Sequence, residues 1–173
     1  MNSICFFMVY HKRFSLTRMS LHHMVDVIED FRNSGFECSG IAIGDDPRQA
    51  KFCSDNGLKH YDYPNDPLSY KFQFAWLSAI HDQKDYIWWL GSNNVHSQEY
   101  WDKCKDRIRD NKCATFGGNK FVVMSSNPEK NETCVFNTRG KYLVSSGQFF
   151  LTYSLGNSVD LLKMYKKDKK FEF

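Results

Sequence analysis

The sequence predicts an α/β fold: a sheet that is mainly parallel over its N-terminal half, with helices on both faces, and a shorter antiparallel C-terminal part. Three observations predict it. Short apolar runs alternate with segments of helical period through residues 1–111. The runs are apolar almost throughout rather than at every second residue, as in strands covered on both faces. After Lys112 the pattern changes to short strands separated by turns such as Gly117-Gly118-Asn119 and Thr138-Arg139-Gly140. The chain of 173 residues is read as one domain, with a β/α half at 1–111 and a second half at 112–173.

Each element has its own signal. Residues 4–10 (ICFFMVY) form the first strand, closed by the polar cluster His11-Lys12-Arg13. Between residues 15 and 34, Leu16, Met19, Met24, Val27, Ile28 and Phe31 recur at helical spacing, and Gly35 suits the position just past the helix end. Residues 40–44 (GIAIG) make the second strand. Asp46 is placed to cap the next helix with Pro47 in its first turn, and Asn56-Gly57 ends it. Residues 58–63 form the third strand, and Pro64 and Pro67 bracket a loop. Asp66 or Ser69 caps a helix running to about Gln83, with Phe72, Trp76, Ala79 and Ile80 inward. Residues 86–90 (YIWWL) are the fourth strand, which Gly91-Ser92-Asn93-Asn94 breaks. Tyr100, Trp101, Cys104 and Ile108 mark one face of a helix over 97–111. Strands follow at 113–116, 121–124, 133–136 and 141–144, then a mixed segment at 147–155 and a helix from Asn157 to Met164. Residues 166–173 (KKDKKFEF) read as a basic tail or a final edge strand.

Composition narrows the function classes. A chain 42% hydrophobic and 25% charged is an ordinary soluble globular protein, not a disordered, collagen-like or coiled-coil one. The excess of 23 basic over 20 acidic residues is too small to announce a nucleic-acid binder. No apolar run approaches the ~18 residues of a membrane span, and residues 4–10 are too short for a secretory leader. The six cysteines at 5, 38, 53, 104, 113 and 134 include no C-x-x-C pair. They are expected to be free thiols in a cytoplasmic protein.

Polar residues collect where ligands bind open parallel sheets, outside the carboxyl ends of the strands. His11, Lys12 and Arg13 follow the first strand, Asp45 and Asp46 the second, and Ser92, Asn93 and Asn94 the fourth. Cations suit a phosphate, carboxylates a ribose or base, and the asparagines a metal or a sugar. Solvated loops that start helices are polar in any case, so the pattern alone leaves both readings open. Neither G-x-G-x-x-G nor G-x-x-x-x-G-K-[ST] occurs, which argues against a dinucleotide fingerprint and a P-loop; a G-x-S-x-G elbow is missing too. His22 and His23 lie mid-helix, and His60 and His81 read as structural or surface residues; His11, at a strand end, is different.

The residues then match a family. Val9-Tyr10-His11-Lys12-Arg13, Ala42-Ile43-Gly44-Asp45-Asp46, Asn65-Asp66-Pro67-Leu68-Ser69-Tyr70-Lys71-Phe72 and Tyr86-Ile87-Trp88-Trp89-Leu90-Gly91-Ser92-Asn93-Asn94 follow one another in the order of a GT-A glycosyltransferase. The chain resembles the small phage- and virus-encoded members in particular, over about residues 3–155. The resemblance implies a Rossmann-type GT-A sheet and a nucleotide-sugar donor, a UDP-sugar first. It assigns donor binding to Tyr10, His11, Arg13, Asp45, Asp46, Lys71 and Ser92. Asn93 and Asn94 take the metal or sugar-diphosphate position, and Ser146, Gly147 and Gln148 the acceptor side. Most such enzymes hold Mg²⁺ or Mn²⁺ there with carboxylates. An amide is a neutral and weaker ligand for a hard cation. Three readings follow: metal-independent catalysis with His11, Lys12, Arg13 or Lys71 neutralising the diphosphate, a catalytically silent relative, or asparagines substituted for carboxylates.

The expected activity is transfer of a sugar from a nucleotide-sugar to an acceptor hydroxyl, in a phage setting that of hydroxymethylcytosine in DNA, in the host cytoplasm. Lysines at 166–170 would then help to hold DNA. No general base stands out: Glu99, Asp102, Asp106 and Asp110 lie on the solvated face of a helix. The alternatives are a silent nucleotide-sugar-binding module and a small nucleic-acid-binding protein. Membrane association is not expected.

Overall fold

The structure is a computed structural model that describes residues 2–66, 68–92, 95–110, 115–116, 120–124, 133–137 and 148–151, the last four segments and residue 69 by backbone alone. In chain order the elements are β1 (Ser3–Val9), α1 (Phe14–Asn33), β2 (Glu37–Gly44), α2 (Pro47–Asp55), β3 (Lys59–Asp62), α3 (Leu68–His81), β4 (Tyr86–Gly91) and α4 (Gln98–Asp110). Four short strands follow: β5 (Thr115–Phe116), β6 (Lys120–Met124), β7 (Thr133–Asn137) and β8 (Gln148–Leu151). The expected strand at 141–144, the helix at 157–164 and the tail at 166–173 lie outside the described residues.

The main sheet runs β3-β2-β1-β4-β8-β5. β1 is parallel to β2 and β4, and β2 to β3. β8 pairs antiparallel with β4 and β5, and β6 with β7. β1 is central and buried along its whole length, which explains its unbroken apolar run. Alternate residues still divide between two faces. Ile4, Phe6, Met8 and Tyr10 join a core with Leu21, Met24, Ile28 and Phe31 of α1, Phe52 of α2 and Trp101 and Ile108 of α4. Cys5, Phe7 and Val9 meet Ala75 and Ala79 of α3 on the other face. Gly40 lets α1 close onto the sheet: a Cβ there would stand 2.7 Å from Ile28 Cδ1 and 2.4 Å from Leu58 Cδ2.

Helix ends follow local chemistry. Asp46 caps α2 as expected, its carboxylate accepting from Arg48 N at 3.1 Å with Pro47 in the first turn. Gly35 has φ +87° beyond α1, where Phe36 N donates to Phe31 O and Gly35 N to Arg32 O, a paired closure that satisfies two orphan carbonyls. Two expected boundaries move. β2 begins at Glu37 rather than residue 40, because Glu37, Cys38 and Ser39 pair in register with Ser3, Ile4 and Cys5. α3 stops at His81 rather than Gln83; Gln83 takes φ +52°, a left-handed role that glycine usually signals.

Among the described residues, Cys5, Cys38, Cys53 and Cys104 are free and buried. Burial pushes the thiols of Cys5 and Cys53 up to about 11 and that of Cys38 to about 12. No helix among these residues is long and apolar enough to cross a membrane.

Candidate functional site

Register brings the strand ends to one edge. Val9 lies opposite Ile43 and Gly91, and Gly44 opposite Asp62. The loops after β1, β2, β3 and β4 therefore leave the sheet side by side. His11 and Asp45, the first polar residues beyond β1 and β2, meet there: His11 Nδ1 lies 2.5 Å from Asp45 Oδ2. Both side chains are about one-third exposed, at 35% and 27%.

The β1–α1 corner is left-handed. Lys12 and Arg13 have φ of 55° and 51°, and both side chains are exposed. Such a conformation costs an L-residue roughly 1 kcal/mol. Arg13 is the N-cap of α1 with no side-chain cap, and Thr17 Oγ1 donates to Lys12 O at 3.2 Å.

Beneath the corner, Tyr10 is a support. It is 2% exposed, and its hydroxyl lies 2.5 Å from His60 Nε2 and 3.3 Å from Asp46 O. Its ring covers Gly44, where an added Cβ would stand 2.1 Å from Tyr10 Cζ. Burial raises the Tyr10 pKa and lowers that of His60, so a neutral phenol meets a neutral imidazole. Lys71 is wholly buried near the start of α3 and donates to Tyr10 O at 2.8 Å. Desolvation depresses its pKa, against the pull of Asp45 and Asp62. Asp46 faces away into an ion pair with Arg48, whose Nη2 donates at 2.6 Å and holds the carboxyl below the usual range.

The edge opens into a cleft of about 660 Å³ lined by His11, Asp45, Asp62, Pro64, Asn65 and Asp66. Asp45 Oδ1 and Asn65 Oδ1 are shielded from water and have no hydrogen-bond partner among the described residues.

Of the residues the sequence singled out, His11 and Asp45 thus share the cleft wall, and Arg13 stands exposed at the adjoining corner. Ser92 is half-buried just past β4. Tyr10, Asp46 and Lys71 are buried, with their polar groups turned to His60, Arg48 and a backbone carbonyl rather than to solvent. Asn93, Asn94, Ser146 and Gly147 lie outside the described residues, and Gln148 is placed only as the first residue of β8. Sequence reasoning did not count the end of β3 among the polar strand ends. Asp62, Asn65 and Asp66 contribute half of the lining, and the rule that found His11 and Asp45 applies equally there. Among the described residues no three His, Cys, Asp or Glu side chains are grouped to hold a metal ion.

No protein-family model matches the chain, and no curated protein matches it. Solved structures do. S. aureus TarS 1–349 superposes with a TM-score of 0.61 at 13% identity, over 91% of this chain and 49% of that one. The fold is GT-A-like. A second match, the 4-diphosphocytidyl-2C-methyl-D-erythritol synthase of Anaerococcus prevotii, gives a TM-score of 0.59 at 11% identity over 99% of this chain and 80% of the other. The chain spans about half the length of the TarS structure. At these identities the likeness carries the fold: a parallel β3-β2-β1-β4 sheet whose strand ends meet in one cleft.

Proposed function

We propose that the chain is a glycosyltransferase that binds a nucleotide-sugar across this edge and passes the sugar to an acceptor hydroxyl. The observation that carries the reading is the union of His11, Asp45, Asp62, Asn65 and Asp66 around one cleft, beside the exposed cations Lys12 and Arg13. The likeness to TarS and to a synthase of a diphosphocytidyl compound supports it at the level of fold.

The charge layout orients the donor. Carboxylates repel a diphosphate, so the nucleoside occupies the cleft, where acceptor oxygens take its N–H and O–H groups. The diphosphate lies toward Lys12 and Arg13, with Ser92, Asn93 and Asn94 on its sugar side. In the transfer, an acceptor oxygen bonds to the anomeric carbon while the bond from that carbon to the diphosphate oxygen breaks. The acceptor proton goes to solvent or to a base, and the nucleoside diphosphate leaves. Arg13 and Lys12 stabilise the charge that grows on the leaving group. Asn93 and Asn94 are the residues that would hold Mg²⁺ or Mn²⁺, which would supply positive charge to the leaving diphosphate.

A second reading, a silent nucleotide-sugar-binding module, is favoured by the amides at 93 and 94. DNA as acceptor is the narrower form of the first reading, and the lysines at 166–170 are its motivation. A panel of nucleotide-sugars assayed for release of nucleoside diphosphate separates enzyme from module. Slow release from one donor, accelerated by its acceptor, supports the transferase. Binding without any release supports the module, and binding of no nucleotide-sugar removes both.

A further inference from the structure

We propose that the cleft reads the nucleobase and selects guanine over uracil. This rests on the nucleotide reading above and adds the identity of the base.

The polar side chains of the lining are the carboxylates of Asp45, Asp62 and Asp66, the amide of Asn65 and the imidazole of His11. Carboxylates only accept. His11 Nδ1 lies 2.5 Å from Asp45 Oδ2, so that nitrogen is already engaged within the lining. Asn65 carries the N–H donors of its amide, and its own oxygen, like Asp45 Oδ1, has no hydrogen-bond partner among the described residues. A ligand that presents N–H or O–H groups suits the three carboxylates of this lining.

Bases differ in that respect. Guanine presents N1–H and the 2-amino group side by side, a fork that fits a carboxylate. Cytosine and adenine offer one amino group each. Uracil offers a single N–H between two carbonyl oxygens, and those oxygens would lie against carboxylates. The uridine donor expected from the resemblance is thus the one this lining suits least. Each hydrogen bond to a charged acceptor is worth enough for the preference to reach at least about tenfold.

Calorimetric titration of the full chain with GDP, IDP, CDP and UDP tests this. IDP is GDP without the 2-amino group. GDP should bind at least about tenfold more tightly than UDP, and IDP should lose most of that advantage. Either Asp45→Asn or Asp62→Asn should abolish the GDP-over-IDP preference while the variant keeps the circular dichroism and melting profile of the parent. Asp62 is an exposed residue, so its variant guards against misfolding. UDP binding as tightly as GDP overturns the proposal and leaves the nucleotide reading standing. Equal affinities for all four also overturn it, by placing the ribose diol in the cleft. A GDP-over-IDP preference that survives both substitutions overturns it too. Binding of none of the four overturns the nucleotide reading itself, and the base selection with it.

Discussion

Gly44→Ala should damage the protein out of proportion to one methyl group. The added Cβ would stand 2.1–2.4 Å from Cζ, Cε2 and Cε1 of Tyr10. A flexible side chain could swing away, but Tyr10 cannot do so freely. It is 2% exposed, and its hydroxyl is held by His60 and the Asp46 carbonyl. Making room breaks those bonds or shifts the strand end. Overpacking of this kind costs about 1–3 kcal/mol, and a lost buried hydrogen bond adds about 1 kcal/mol. A total near 2–3 kcal/mol lowers the Tm of a chain this size by roughly 5–10 °C. Because Asp45 follows Gly44, nucleotide affinity should weaken as well. Differential scanning fluorimetry of the single variant and of Gly44→Ala with Tyr10→Leu checks the mechanism. The smaller side chain removes the clash, so the double variant should melt well above the sum of the two single losses. A Tm within 1–2 °C of the parent for Gly44→Ala, or strict additivity in the pair, would refute the packing argument (both thresholds being about 0.5 kcal/mol of resolution).

Other expectations are smaller in scope. Asp45→Ala and Arg13→Ala should weaken nucleoside diphosphate binding at a stability cost within about 0.5–1 kcal/mol, because both residues sit in loops; unchanged calorimetric affinities in both would remove them from the site. Burial lowers the pKa of His23, against the pull of Asp26, and drives that of His96 down to about 4. Both rings are neutral in the fold, where the His96 ring stacks on Tyr100 and the backbone N–H of His96 donates to His23 Nε2. An unfolded chain protonates such rings near pH ~6.5. Their contribution is therefore complete above that pH and drains away as the pH falls toward 4. Melting curves should show this loss, and His96→Phe should flatten it; an equal slope in the variant would exclude His96. Asn93→Asp with Asn94→Asp should create donor binding that depends on Mn²⁺ and falls with chelator, whereas the parent stays nearly insensitive. A double variant without metal dependence shows that Gly91–Asn94 does not correspond to a carboxylate motif.

The sheet was legible because burial on both faces writes itself into the chain. The runs at 4–10 and 86–90 need no alternation to be read as strands, since β1 and most of β4 are buried. Asp46-Pro47 and Gly35 announced helix boundaries through capping and backbone freedom. Glu37–Ser39 was missed because its pairing with Ser3–Cys5 depends on partner strands rather than on its own residues. The end of α3 was missed because a glutamine does what a glycine normally signals. His11 and Asp45 were found by a rule about strand ends, which is a statement of topology. Asp62, Asn65 and Asp66 obeyed the same rule, but Asp62 was read as part of a strand and Asp66 as a helix cap. The fates of Tyr10, Asp46 and Lys71 were illegible, because sequence gives proximity to an edge and not the direction of a side chain.

Lys71 carries a consequence of another kind. An ammonium held in the interior by a single carbonyl among the described residues is an expensive way to fill space. A random library screened only for heat resistance should therefore enrich methionine or leucine at 71. The survivors would be sturdier molecules with a slackened β1 corner, since nothing would then hold the Tyr10 carbonyl ahead of His11. Heat resistance and competence at the edge pull this one position in opposite directions, and a lineage that keeps lysine there records which of the two was under selection.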